Sequence, residues 1–187
     1  MLFFPKANLA FIAVPKTGSM AAEATLGPFA REVGNPVLKY MHRSATDAAA
    51  LYGSDVETVA LVREPVSWVK SKYRYLSGYQ IDFGSRYCTR LIGFESFADR
   101  ILRGQKPWPE PLKTQSAYIQ GADHVFQYEQ FGLFVEFMSN RLGKKISIPS
   151  ANVSPIVDIK ASDAILRKLQ EHFREDAATH RAALRPE

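Results

Sequence analysis

The sequence predicts an α/β fold with a mainly parallel sheet, on three observations. Apolar runs of strand length recur at residues 9–14, 57–62 and 123–128. The first is nearly continuous rather than alternating, as a strand covered on both faces requires, and the second is a further buried-strand candidate. Segments with helical spacing and helical punctuation lie between them, so strand and helix alternate from the N-terminus.

Residues 9–14 form the first predicted strand, punctuated by Pro15 and Gly18. An Ala-rich helix follows over 19–26 and is stopped by Gly27 and Pro28. Gly34, Asn35 and Pro36 mark a turn before a candidate strand at 37–40. Ser44 or Thr46 caps a short helix that runs to Leu51 and ends near Gly53. After the strand at 57–62, Pro65 opens a helix, where its missing N–H leaves nothing unpaired. Val66, Val69, Tyr73 and Leu76 give that helix a core-facing stripe, with Ser67, Ser71 and Arg74 on a different face. Residues 78–93 read as irregular and 94–102 as helical, and Pro107, Pro109 and Pro111 make 105–115 a loop. The strand at 123–128 leads into a helix over 130–142. Residues 146–155 are loop-like, and Ser162 caps a long final helix to about Leu184.

With 187 residues, 46% hydrophobic and 23% charged, the chain is expected to form one compact domain over 1–187. A net charge of +5 suits anionic partners such as nucleotides or acidic sugars. The excess is scattered, with Lys144-Lys145 and Arg167-Lys168 as isolated pairs, so nucleic acid is not an expected partner. Cys88 is the only cysteine, which rules out an intrachain disulfide and a Cys-rich structural zinc site. The apolar start is broken by Pro5, Lys6 and Asn8 and does not read as a signal peptide. No apolar run has the roughly 20 residues of a membrane helix. A soluble, cytoplasmic chain is the expectation.

Two segments carry chemistry. Pro15-Lys16-Thr17-Gly18-Ser19 falls between a buried strand and a helix. A tight turn there aims backbone N–H groups and the positive end of the helix dipole at one point, which makes an anion site. Lys16 adds a charge, the Thr17 and Ser19 hydroxyls can donate to phosphate oxygens, and Gly18 supplies a permissive backbone. The G-x-x-x-x-G-K-[ST] pattern of a Walker A loop is absent. The plainer alternative is a surface turn with a capping hydroxyl.

The second segment runs from Val62 to Tyr73. Arg63 ends a strand, where side chains reach the crevice in which open α/β sheets bind ligands. Its planar fork suits a phosphate group. The alternative is an ion pair with Glu64 or another acid, together with a surface serine at Ser71.

Together the two segments resemble the motifs of the PAPS-dependent sulfotransferases (PAPS is 3′-phosphoadenosine 5′-phosphosulfate), especially their bacterial and carbohydrate branch. In that family a P-K-T-G loop after the first strand holds the 5′-phosphosulfate, and an R-x-P-x(5)-S-x-Y motif binds the 3′-phosphate. Pro15, Lys16, Thr17 and Gly18 match the first, and Arg63, Pro65, Ser71 and Tyr73 the second. Weaker likenesses cover residues 39–42, which end in His42, and the segments 115–118, 125–129 and 152–154. Two positions depart from the pattern. Met20 stands where many relatives have Thr or Ser, and Trp68 where many have Arg.

The resemblance implies a three-layer P-loop-NTPase-like fold and sulfuryl transfer from PAPS to an acceptor hydroxyl, best taken as that of a carbohydrate. It assigns cofactor binding to Pro15, Lys16, Thr17, Gly18, Ser19, Met20, Arg63 and Ser71, with Lys16 also stabilising charge on the departing phosphate. No metal is required. His42 is the candidate base, since a neutral imidazole is accessible near neutral pH. The alternative for His42 is a histidine making one backbone hydrogen bond. Glu129 is a second candidate base, His124 reads as structural, and His172 and His180 as solvent-facing. Trp68, Tyr75, Tyr79, Tyr87, Trp108 and Tyr118 are candidates for an acceptor cleft, with Arg86 and Arg90 to meet acidic groups. Two competing functions remain open: a non-catalytic (sulfo)nucleotide-binding protein on the same fold, and a small-molecule kinase.

Overall fold

Four strands form one mixed sheet in the order β1-β2-β3-β4. They are β1 (Leu2–Phe4), β2 (Leu9–Ile12), β3 (Glu57–Val62) and β4 (His124–Gln127). β2, β3 and β4 run parallel, with Leu9 opposite Glu57 and Val59 opposite His124. β1 is antiparallel to β2 and was not expected. The computed structural model describes residues 1–30, 42–77, 92–105, 113–149 and 159–183. The candidate strand at 37–40 and most of the 78–93 and 105–115 segments lie outside them.

The structure divides into two compact units, the first of Met1–Arg63, Gln115–Asn152 and Thr179–Glu187, the second of Glu64–Thr114 and Val153–Ala178. The first holds the sheet. Alternate residues of β2 and β3 face opposite ways, as the two-residue period of a strand dictates. Leu9, Phe11, Val59 and Leu61 pack with Ala22 and Leu26 of α1 (Ser19–Leu26) and Phe134 and Met138 of α6 (Phe131–Leu142). Ala10, Ile12, Ala60 and Val62 pack on the other side, against α2 (Ala45–Tyr52) and α5 (Gln115–Ile119). Both faces are therefore covered, which explains why these strands read as continuous apolar runs.

Local signals act where they were expected. Ser44 caps α2 through a reciprocal capping box with Asp47, and Gly53 follows its last turn. α5 begins at Gln115, the last residue of the predicted loop.

The second unit contains α3 (Pro65–Ser77), α4 (Phe94–Leu102) and α7 (Asp163–His172) around Trp68, Val69, Phe97, Ile101 and Leu169. The expected single C-terminal helix is two: α7, capped by Ser162, and α8 (Arg174–Ala182). Phe173 leaves helical geometry between them, at φ −102° and ψ 32°. Its ring is fully buried, edge-on to Trp68 at 5.7 Å between centroids. Burying a ring of this size is worth about 2 kcal/mol, enough to interrupt a run of good helix formers. Among the described residues, no helix is long and apolar enough to cross a membrane.

Candidate functional site

β2 ends at Ile12, and the main chain then turns sharply before α1 begins at Ser19. Two residues of that turn have left-handed backbones, Lys16 at φ 66° and Gly18 at φ 78°. Thr17 is fully buried and donates its hydroxyl hydrogen to the Val14 carbonyl at 2.9 Å. Its hydroxyl donor thus closes the turn instead of pointing outward to a phosphate. Gly18 is required twice over. A Cβ there would take a conformation that side chains avoid, and would sit 3.1 Å from ring carbons of both Tyr128 and Phe131.

The first bond of α1 runs from Ala22 N–H to the Gly18 carbonyl, and no side chain caps the helix at Gly18. The N–H groups of Ser19, Met20 and Ala21 precede the first helical donor, Ala22, so α1 offers them at its positive end. Ser19 is buried, whereas Met20 is 59% exposed. This donor set suits an anionic oxygen group.

Arg63 follows the last residue of β3, and its guanidinium turns toward that loop. Nη1 donates to the Lys16 carbonyl at 3.4 Å, and the guanidinium carbon lies 4.5 Å from the centroid of the Tyr128 ring. Its main chain is held by Gln115, which is 1% exposed. The Arg63 N–H donates to Gln115 Oε1 and Gln115 Nε2 donates to the Arg63 carbonyl, each at 2.8 Å. One side-chain amide thus continues the pairing of β3 past its end.

His42 is half-buried beside the end of β2. Its Nδ1–H donates to the Ala13 carbonyl at 2.6 Å, and the Tyr118 ring stands edge-on at 6.2 Å. A carbonyl can only accept, so Nδ1 carries a proton and neutral His42 keeps its lone pair on Nε2. This is the single backbone bond of the plainer reading, and it leaves Nε2 as the nitrogen that can accept a proton.

The rest of the second motif lies on α3, within the second unit. Both Glu64 carboxylate oxygens accept N–H groups of the first turn of α3, from Val66 at 3.0 Å and Ser67 at 2.6 Å. Glu64 therefore caps the helix. Ser71 is 7% exposed and so is not a surface serine. Tyr73 is buried and donates its hydroxyl to the Ile92 carbonyl at 2.9 Å, and burial raises its phenol above the ordinary value. Trp68 is fully buried against Phe173, with Lys72 Nζ 4.5 Å from its ring centroid, so it is core rather than cleft.

Tyr118 is likewise buried, and Tyr75 is exposed. Tyr79, Arg86, Tyr87, Arg90 and Trp108 lie outside the described residues. His180 is not solvent-facing as expected. Its Nε2 lies 2.9 Å from Glu129 Oε2, and its carbonyl accepts from Gln127 Nε2 at 2.7 Å. His124 pairs with Glu57 at the opposite end of the sheet, where β3 and β4 begin.

The structure thus brings Gly18 and Arg63 against Tyr128, with Arg63 also bonded to the Lys16 carbonyl. Phe131 carried no signal of its own in the sequence, and Tyr128 entered only within the likeness over 125–129. Gln115 did, as part of a four-residue likeness, but not its role. Comparison with models of known families, with curated proteins and with solved structures finds no match.

Proposed function

We propose that this chain binds PAPS and transfers its sulfuryl group to a carbohydrate hydroxyl, on a three-layer P-loop-NTPase-like scaffold. The observation that carries the reading is the contact between Arg63 and the main chain of Lys16. The two motifs lie 47 residues apart, yet their cationic residues meet where an uncapped helix presents its N–H groups. Such a donor set matches a nucleotide with phosphate at two positions.

In this reading the turn at Pro15, Lys16, Gly18 and Ser19 holds the 5′ end, and the second motif assigns Arg63 and Ser71 to the 3′-phosphate. The acceptor oxygen attacks sulfur, the bond from sulfur to the 5′-phosphate oxygen breaks, and the electron pair leaves with that phosphate. Lys16 offsets the developing negative charge. The acceptor proton passes to Nε2 of His42, whose Nδ1–H stays on the Ala13 carbonyl.

Calorimetric titration with 3′-phosphoadenosine 5′-phosphate, using AMP and ATP as controls, tests the proposal. Selective binding of the 3′-phosphorylated nucleotide, lost in Arg63→Ala, is the expected result. No binding, or equal binding of AMP, overturns it. Met20 favours a second reading, because it places an exposed thioether on the first turn of α1 where a hydroxyl would serve the phosphosulfate. A chain that binds the nucleotide selectively yet transfers sulfuryl to no sugar acceptor would be a binding protein.

A further inference from the structure

The ladder between β2 and β3 ends with Ile12 opposite Ala60, and that between β3 and β4 with Val62 opposite Gln127. Arg63 lies beyond both. Its N–H and its carbonyl are met by the side-chain amide of Gln115, which accepts from the one and donates to the other, each at 2.8 Å. Gln115 is 1% exposed and opens α5, whose Tyr118 and Ile119 are buried in one cluster with Ile12, Ala60 and Val62. The amide is thus mounted on a helix set into the core of the sheet.

The two main-chain groups belong to the peptide planes on either side of the Arg63 Cα. Holding both fixes φ and ψ of that residue, and with them the direction in which its side chain departs. The guanidinium has contacts of its own at the far end, with the Lys16 carbonyl and the Tyr128 ring. Those contacts steady the tip, and the amide sets the root. Because the side chain is long, a turn of about 10° at the backbone moves the guanidinium by about 1 Å, a shift that separates productive from unproductive geometry.

We infer, resting on the functional reading above, that Gln115 is a positioning residue whose amide aims the guanidinium of Arg63 at the 3′-phosphate. Two replacements of similar length separate this role from packing. Gln115→Met keeps the shape and neither bond. Gln115→Glu keeps both bonds while its carboxyl is protonated, through C=O and O–H, and loses the donor when it ionises. Burial raises the pKa of such a carboxyl, so the protonated form extends toward neutral pH.

Calorimetry on the full chain compares 3′-phosphoadenosine 5′-phosphate with AMP at about pH 5 and about pH 8. The measured quantity is the preference for the first nucleotide, taken relative to the wild-type preference at the same pH. Gln115→Met is expected to lower it about tenfold at both pH values. Gln115→Glu is expected to stay within about twofold of wild type at the lower pH and to fall about tenfold at the higher. A role in folding alone would weaken stability and leave that preference unchanged. Amide hydrogen exchange forms a second arm, in which the Arg63 N–H is protected in the wild type and exchanges faster in Gln115→Met.

A folded Gln115→Met chain with the wild-type preference overturns the inference, as does a Gln115→Glu chain whose relative preference is the same at both pH values. If Gln115→Met does not fold, Gln115→Glu carries the comparison, because its protonated form is its own reference. A wild-type chain that binds neither nucleotide overturns the functional reading instead. Amide exchange then decides whether Gln115 holds Arg63.

Discussion

Arg63 donates from Nη1 to the carbonyl oxygen of Lys16 at 3.4 Å. A cation at the end of β3 is thereby tied to the backbone of the cation that follows β2. The contact uses the main chain of Lys16, so it survives changes to the lysine side chain. The two cations can then be probed separately.

Lys16 carries a left-handed backbone at φ 66°, which side chains adopt at a cost and glycine does not. Lys16→Gly is expected to be at least as stable as wild type, by up to about 1 kcal/mol in urea unfolding. Sulfuryl transfer by the same variant is expected to fall by about 100-fold or more. A variant that is both destabilised and active would contradict this assignment.

Gly18 has no such latitude. Gly18→Ala adds a Cβ at φ 78° and presses it to 3.1 Å from Tyr128 and Phe131. A loss of about 1–3 kcal/mol is expected in chemical denaturation.

Gln115 satisfies both backbone groups of Arg63 from a buried position. Gln115→Leu leaves an N–H and a carbonyl without those partners, and should destabilise the chain by about 2–4 kcal/mol. Thermal unfolding would record it, and a near-neutral result would mean that water replaces the amide.

Glu57 lies at the far end of the sheet, where Arg141 donates to both its oxygens at 3.0 and 2.8 Å and His124 Nε2 lies 2.9 Å away. These bonds, Arg141's first, lower its carboxyl from 4.5 to about 2. A depressed folded value means that the stabilisation is complete above 4.5 and is lost as pH falls from 4.5 through about 2. The carboxylate is 41% exposed, so the effect is small and screened by salt. Glu57→Gln should flatten the stability profile in that interval at low ionic strength, and an unchanged acid slope would count against the triad.

The strand and helix pattern was legible because it is written locally. The run at 57–62, Pro65 after it and the Ser44 cap each act within a few residues, and they became β3, α3 and α2. β1 was missed because Leu2, Phe3 and Phe4 are too few to show a period, and only pairing with β2 makes them a strand. The break at Phe173 depends on a tertiary contact with Trp68, which no helix propensity contains. Lys16, Gly18 and Arg63 could be singled out from the sequence as chemical types beside strand ends. Gln115 and Tyr128 could not be tied to Arg63, because that relation exists only once β3 and β4 lie side by side.

The two faces of the sheet are built from different materials. Phe4, Phe11, Phe126 and Phe134 fill one side, while on the other Ala10, Ala60, Ala45 and Ala48 lie among Ile12, Val62, Tyr118 and Ile119. Large rings leave voids when trimmed, and alanine-lined contacts have no room for growth. Mutational tolerance therefore runs in opposite senses through one sheet. The rings of the first side resist loss, and the alanines of the second resist gain.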